Sequence, residues 1–248
     1  MDPLPFTLLI IGTFLFAGLV KGVIGMGLPT VAMGLLGLAM RPAEAAAMLL
    51  LPSLVTNVWQ LLTGPRFDVL LRRLWPMMLG VVVGTLAGSG ILVSTASRFA
   101  ATGLGTALLL YAVTGLAKLR LRVPPAAESW AGPLVGALTG LVTGATAVFV
   151  IPAVPYLGSL GLERDDLVQA LGLSFTVSTL ALAGGLALHG ALPFAASGTS
   201  VLALLPALAG MWVGGRLRAR VHPEAFRLCF FVGLLALGGE LVWHGLSA

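Results

Sequence analysis

Long apolar runs with few polar interruptions recur from one end of the chain to the other. They cover about residues 6–38, 45–62, 74–93, 99–117, 130–160, 167–188, 195–214 and 226–243. Crossing the hydrocarbon core takes roughly 20 helical residues. Only helices and closed barrels satisfy their backbone there, and barrel strands alternate polar with apolar residues. These runs are continuous, so the pattern predicts transmembrane helices. Six runs have single-helix length. The other two, FTLLIIGTFLFAGLVKGVIGMGLPTVAMGLLGL and WAGPLVGALTGLVTGATAVFVIPAVPYLGSL, are too long and carry Gly and Pro in the middle. A bend is expected at Gly22 to Pro29 and another at Gly144 to Pro152.

The two long runs open two similar halves. FAGLVKG aligns with LTGLVTG, pairing Gly18 with Gly140 and Gly22 with Gly144 at an offset of 122. The offset holds again from Leu38 and Leu160 through Thr56 and Ser178. Further on, P-x3-G-x3-G recurs as Pro76, Gly80, Gly84 and as Pro206, Gly210, Gly214. The ordered series predicts an internal duplication. The expected units are a first repeat over 1–118, a polar linker over 119–129 and a second repeat over 130–248.

Composition narrows the class. Hydrophobic residues make up 58% and charged ones only 9%, against roughly 25% in soluble domains. The formal charge of +5 reflects 14 Lys and Arg against 9 Asp and Glu, the basic residues mostly in short loops, which is the positive-inside pattern and not a nucleic-acid surface. If each long run bends and ends on the side where it began, eleven of these residues share one side. They are Arg66, Arg72, Arg73, Lys118, Arg120, Arg122, Arg164, Arg216, Arg218, Arg220 and Arg227, with Arg41 and Arg98 opposite. If every run crossed once, the basic residues would split. The bent arrangement gives each half an odd net number of crossings. The expected fold is therefore an all-α integral membrane protein with two inverted-topology repeats. Each repeat opens with a bent or re-entrant helical hairpin followed by three transmembrane helices, and both termini lie outside. The N-terminus has no basic n-region, so the first run is expected to stay in the protein.

The candidate chemistry is sparse. Cys229 is the single cysteine, and His189, His222 and His244 have no metal-ligand spacing, so neither a metal site nor a cofactor is expected. No P-loop and no catalytic constellation is legible, so a secondary transporter is favoured over the alternatives, a non-transporting membrane subunit or a membrane-embedded enzyme. Lys21 is the one charge deep in an apolar run, a position that defaults to function. Gly22, Gly25, Gly27 and Pro29 form the first break, where free N–H groups and a helix dipole suit an oxyanion. Thr143, Gly144, Thr146 and Pro152 form the related wall. Ser53, Thr56 and Asn57 beside Pro52, and Ser174, Thr176 and Ser178 beside Thr179, put polar groups at matching places in the second and sixth runs. Together these residues are expected to enclose one anion site near the bilayer midplane.

Other features have plainer readings. Gly80, Gly84 and Gly88, and Gly136, Gly140 and Gly144, are small-residue packing stripes. Trp75, Trp130 and Trp243 are interface anchors, Asp165 and Asp166 cap a helix, and Glu240 and His244 lie at a solvated terminus. Homo-oligomerisation is compatible with the sequence.

The segments AGLVKGVIGMGLPTVAMGLLG with LLPSLVTNVW, and TGLVTGATAVFVIP with QALGLSFTVST, are similar to the TauE/SafE family over nearly the whole chain. The second copy, GATAVFVIP, departs from the family pattern in lacking a glycine cluster. The resemblance implies a multi-pass exporter of the bacterial inner membrane. Its cargo would be a small anion, sulfite or an organosulfonate, with a different small organic anion as the alternative, bound at a midplane site between the repeats.

Overall fold

The computed structural model describes residues 3–93, 97–117, 122–192, 196–218, 220 and 222–247. Lys118 and Arg120 lie outside the described residues, as does the side chain of Arg98. The helices are α1 (Pro3–Ile24), α2 (Leu28–Leu36), α3 (Pro42–Leu62), α4 (Phe67–Val93) and α5 (Ser97–Leu116). They continue as α6 (Pro125–Thr146), α7 (Ala153–Ser159), α8 (Arg164–Leu188), α9 (Ala196–Leu217) and α10 (Pro223–Ser247). Six of them are long and apolar enough to cross a membrane.

Both predicted bends are present. α1 stops at Ile24 and α2 starts at Leu28, after Gly25 and Gly27 take positive φ values of 86° and 102°. An L side chain resists that conformation, so glycine is needed there. α6 ends at Thr146, with Ala147 left-handed at φ 57°, and α7 starts at Ala153. The two arms of each bend are unequal. α1 and α6 have 22 residues each, whereas α2 has 9 and α7 has 7. At 1.5 Å per residue the return arms are only about 10–14 Å long.

Most helices run past the apolar blocks that announce them. α4 begins at Phe67 and so includes Arg72 and Arg73, which the charge pattern placed in a loop. α6 begins at Pro125, inside the expected linker. Pro suits the first helical turn because its missing N–H would have no partner there. Hydropathy alone therefore places these helix starts too late.

Glycines set the closest helix contacts. A Cβ on Gly140 would lie 2.2 Å from the Val81 carbonyl oxygen, and one on Gly84 would lie 2.1 Å from that of Ala137. The α1–α9 contact is built the same way, with Gly18 on Ala207 and Gly210 on Leu15, at 2.1 and 2.0 Å. Small residues here let two backbones touch, the main source of helix association in lipid. The stripes expected to pack therefore pack on each other within the chain. Contact positions rise together along α1 and α9, and along α4 and α6, so each pair is parallel. α3 and α8 are antiparallel, since Gly64 meets Gln169 while Asn57 meets Thr179. α5 and α10 are antiparallel too, with Gly105 on Gly238 and Gly115 on Phe231.

α4 also runs alongside α8, from the Arg66–Asp166 ion pair at one end to Gly90 beside His189 at the other. α6 and α8 thus point the same way, and the chain between them must return. The Val123 amide just before α6 donates to the Ser159 carbonyl at the end of α7, 3.2 Å away. The second long block ends on the side where it began.

Asp166 does not cap α8. Glu163 occupies the N-cap position without a side-chain bond, and Asp166 pairs with Arg66 from the first turn. Trp75, Trp130 and Trp243 are all exposed, as lipid or interface anchors would be.

Candidate functional site

Lys21 lies in the last turn of α1 and is 3% exposed. Its Nζ donates to Thr56 Oγ1 at 3.1 Å and to Asn57 Oδ1. Both acceptors are fully buried on α3. Thr56 Oγ1 donates its own hydrogen to the Pro52 carbonyl, one turn back, at 2.7 Å. Its lone pairs are therefore left to accept. Asn57 passes the network to the second half, with Nδ2 donating to Thr179 Oγ1 at 3.3 Å. Thr179 in turn donates to the Phe175 carbonyl at 2.7 Å. The ammonium is thus tied to α3, and α3 to α8, through neutral oxygens. Among the described residues no carboxylate touches it.

Three further hydroxyls on α3 and α8 have no partner. Ser53, Ser174 and Ser178 are buried at 0% exposure, and no protein group bonds their Oγ atoms. Ser53 is one helical turn from Asn57, and Ser174 one turn from Ser178, so each pair shares a helix face. An unsatisfied buried hydroxyl costs about 1–3 kcal/mol. Thr176, by contrast, donates to the Gly172 carbonyl in its own helix at 2.7 Å.

The two breaks have different linings. At the first, the Gly25 amide donates to the Lys21 carbonyl at 2.7 Å, and Pro29 starts α2. A Cβ on Gly25 would meet nothing within 4 Å, whereas one on Gly27 would press on the Phe230 ring at 3.2 Å. The Tyr111 hydroxyl donates to Met26 Sδ at 3.1 Å. At the second break, Thr143 donates to the carbonyls of Thr139 and Val148, at 2.8 and 3.3 Å. Thr146 donates to the Val142 carbonyl and accepts from the Val148 amide. These two threonines fasten the end of α6 to its own turn, and Pro152 then leads into α7.

Residues 10–241 match the family model for sulfite exporter TauE/SafE. The chain belongs to the TauE/SafE family. No curated protein and no solved structure gives a significant match. Six helices among the described residues are long and apolar enough to cross a membrane, and this TauE/SafE protein is a multi-pass membrane protein of a transporter family.

Of the residues singled out in this TauE/SafE sequence, Lys21, Thr56 and Asn57 are joined directly by hydrogen bonds. Gly22 and Gly144 have a packing explanation. Their Cβ positions would fall 2.2 Å from the Met211 carbonyl oxygen and 2.4 Å from that of Thr85. Among the described residues no hydrogen bond joins one break to the other. Tyr111 at the first break carries no signal in the sequence, because a lone tyrosine in an apolar run reads as core.

Proposed function

We propose that the protein is a secondary transporter that exports a small anion, sulfite or an organosulfonate, across the bacterial inner membrane. The binding site lies near the midplane between two inverted repeats, 1–118 and 130–248, joined by the linker 119–129. Lys21, Thr56 and Asn57 form its centre. Gly25, Gly27 and Pro29 supply the first backbone wall, and Thr143, Thr146 and Pro152 the second. Ser53, Ser174, Thr176 and Ser178 complete the polar lining.

One observation carries this reading. Lys21 is a buried ammonium whose partners are all neutral oxygens. Desolvating an ion costs several kcal/mol, which neutral hydrogen bonds only partly offset. An anion beside it supplies the missing charge. The inverted arrangement is supported by the parallel pairs α1–α9 and α4–α6 and the antiparallel pairs α3–α8 and α5–α10. An in-plane two-fold that exchanges α1 with α6, and α4 with α9, turns α1–α9 into α4–α6 and maps the antiparallel pairs α3–α8 and α5–α10 onto themselves. Lys21, Thr56 and Asn57 are buried, so an anion reaching them requires the surrounding helices to rearrange. Energy comes from an ion gradient or from the anion's own gradient.

Counterflow of labelled sulfite and of a labelled organosulfonate in proteoliposomes tests this. Wild-type protein should exchange at least one of them, and Lys21→Met should fold normally yet exchange neither. Normal exchange by Lys21→Met would remove the ammonium from the mechanism.

A further inference from the structure

α2 opens inside the protein without a cap. Its N-cap residue, Gly27, has no side chain to offer, and no side-chain bond closes the helix start. The first amides of a helix have no intrahelical partner, and the helix dipole makes that end positive. Pro29 has no amide, so Leu28 and Thr30 hold the free N–H groups of the first turn.

Two hydroxyls accompany this helix start. Thr30 is fully buried, and its Oγ1 has no hydrogen-bond partner. Side chains on a helix lean toward its N-terminus, so the Thr30 hydroxyl leans over the uncapped turn. Tyr111 is 2% exposed, and its hydroxyl donates only to the thioether of Met26, a weak acceptor within the break. The ring is fixed by edge contacts with Phe230 and Phe231, at centroid distances of 6.2 and 5.2 Å. Gly25, between Lys21 and Met26, adjoins open space. Lys21 and Tyr111 lie within five residues of the ends of α1 and α5.

We propose that Tyr111 and Thr30 are anion-binding residues. Their hydroxyls join the first amides of α2 and the Lys21 ammonium around an oxyanion seated at the first break. The inference rests on the anion-transport reading and names donors beyond it. On binding, the Tyr111 hydroxyl turns from sulfur to a charged oxygen, a stronger acceptor. Thr30, unpaired in the protein, gains its partner. Three oxygens arranged about one sulfur, as in sulfite or a sulfonate, suit donors supplied by α1, α2 and α5.

Concentration-dependent counterflow of sulfite by wild type, Tyr111→Phe and Thr30→Val separates the possibilities. Both substitutions keep shape and remove one hydroxyl. Each should raise the half-saturating concentration about ten-fold, the scale of one hydrogen bond to a charged group. The maximal rate should stay within about two-fold and the melting temperature should not fall. Unchanged half-saturation in both variants, with transport lost in Lys21→Met, overturns this proposal and leaves the transport reading intact. A loss of maximal rate or of folded protein at constant half-saturation also overturns it, because that is what a packing role gives. Absence of exchange by the wild type, with sulfite and with an organosulfonate alike, defeats the transport reading itself.

Discussion

Asn57 donates its side-chain amide to Thr179 across 3.3 Å, and the two residues stand 122 positions apart. That is the offset at which the sequence aligns its two halves, so the bond joins positions that the alignment treats as equivalents. One of them holds the Lys21 ammonium and the other does not. The site is chemically one-sided, with its single cation in the first half.

This one-sidedness predicts the behaviour of Asn57→Asp. The new carboxylate would sit against Lys21 and neutralise it within the protein. The variant should fold, with a melting temperature at or above that of the wild type, because a buried charge gains a partner. It should bind and exchange no anion, since the ammonium is already paired. Asn57→Ala should behave differently, losing about 1–3 kcal/mol of stability through an unpaired buried donor. Thermal unfolding and counterflow on the two variants check the contrast. Wild-type exchange by Asn57→Asp would sink it.

The glycine stripes predict a sharp difference among alanine substitutions. Gly84→Ala and Gly140→Ala would drive a methyl carbon onto a backbone oxygen, at 2.1 and 2.2 Å. Helices α4 and α6 would have to part, at a cost of at least about 1–3 kcal/mol. Gly158→Ala and Gly233→Ala would meet nothing within 4 Å and should be tolerated. Size-exclusion profiles and melting temperatures in detergent should rank the four variants in that order. Equal stability across the set would remove close packing as the role of the stripes.

The bends and the buried lysine were legible because each breaks a strong local rule. Gly25 and Gly27 interrupt a run too long for one span, and Lys21 is a charge among apolar residues. Arm lengths were less legible, since α7 and α2 are as apolar as the long helices they follow. The bonds of the Thr143 and Thr146 hydroxyls to the backbone of the second break were not legible in the sequence. Tyr111 is visible only through what its hydroxyl touches, and Thr30 only through the burial of a hydroxyl that has no partner. Such partners depend on helices far apart in the chain, which no local pattern encodes.

Topology gives a third prediction. In a Cys229→Ser background, single cysteines at Arg41 and His189 should label from outside the cell. Cysteines at Arg72 and Arg218 should label only after the membrane is opened. The expectation follows from the distribution of basic residues and from the return of the second long block, whose α7 end bonds to Val123 just before α6. Outside labelling at Arg218 would show that the second half does not run as proposed.

The first break supplies the last prediction, because its two glycines differ in surroundings while sharing a backbone requirement. Gly25 has φ 86° and open space where a Cβ would sit; Gly27 has φ 102° and the Phe230 ring at 3.2 Å. Alanine at either position is strained by the positive φ, at roughly 1–2 kcal/mol. At Gly27 the strain adds to a steric clash, and the ring that must yield also holds Tyr111 in place. Gly27→Ala should therefore lower both melting temperature and transport. At Gly25 a methyl group fits, but larger side chains would occupy the space proposed for the anion. Gly25→Ala should retain partial exchange and a nearly wild-type fold. Gly25→Leu should abolish exchange while remaining folded to the same extent as Gly25→Ala. Counterflow rates set beside melting temperatures read the two effects separately. If Gly25→Leu exchanges sulfite as well as Gly25→Ala does, the space beside Gly25 is not where the anion sits.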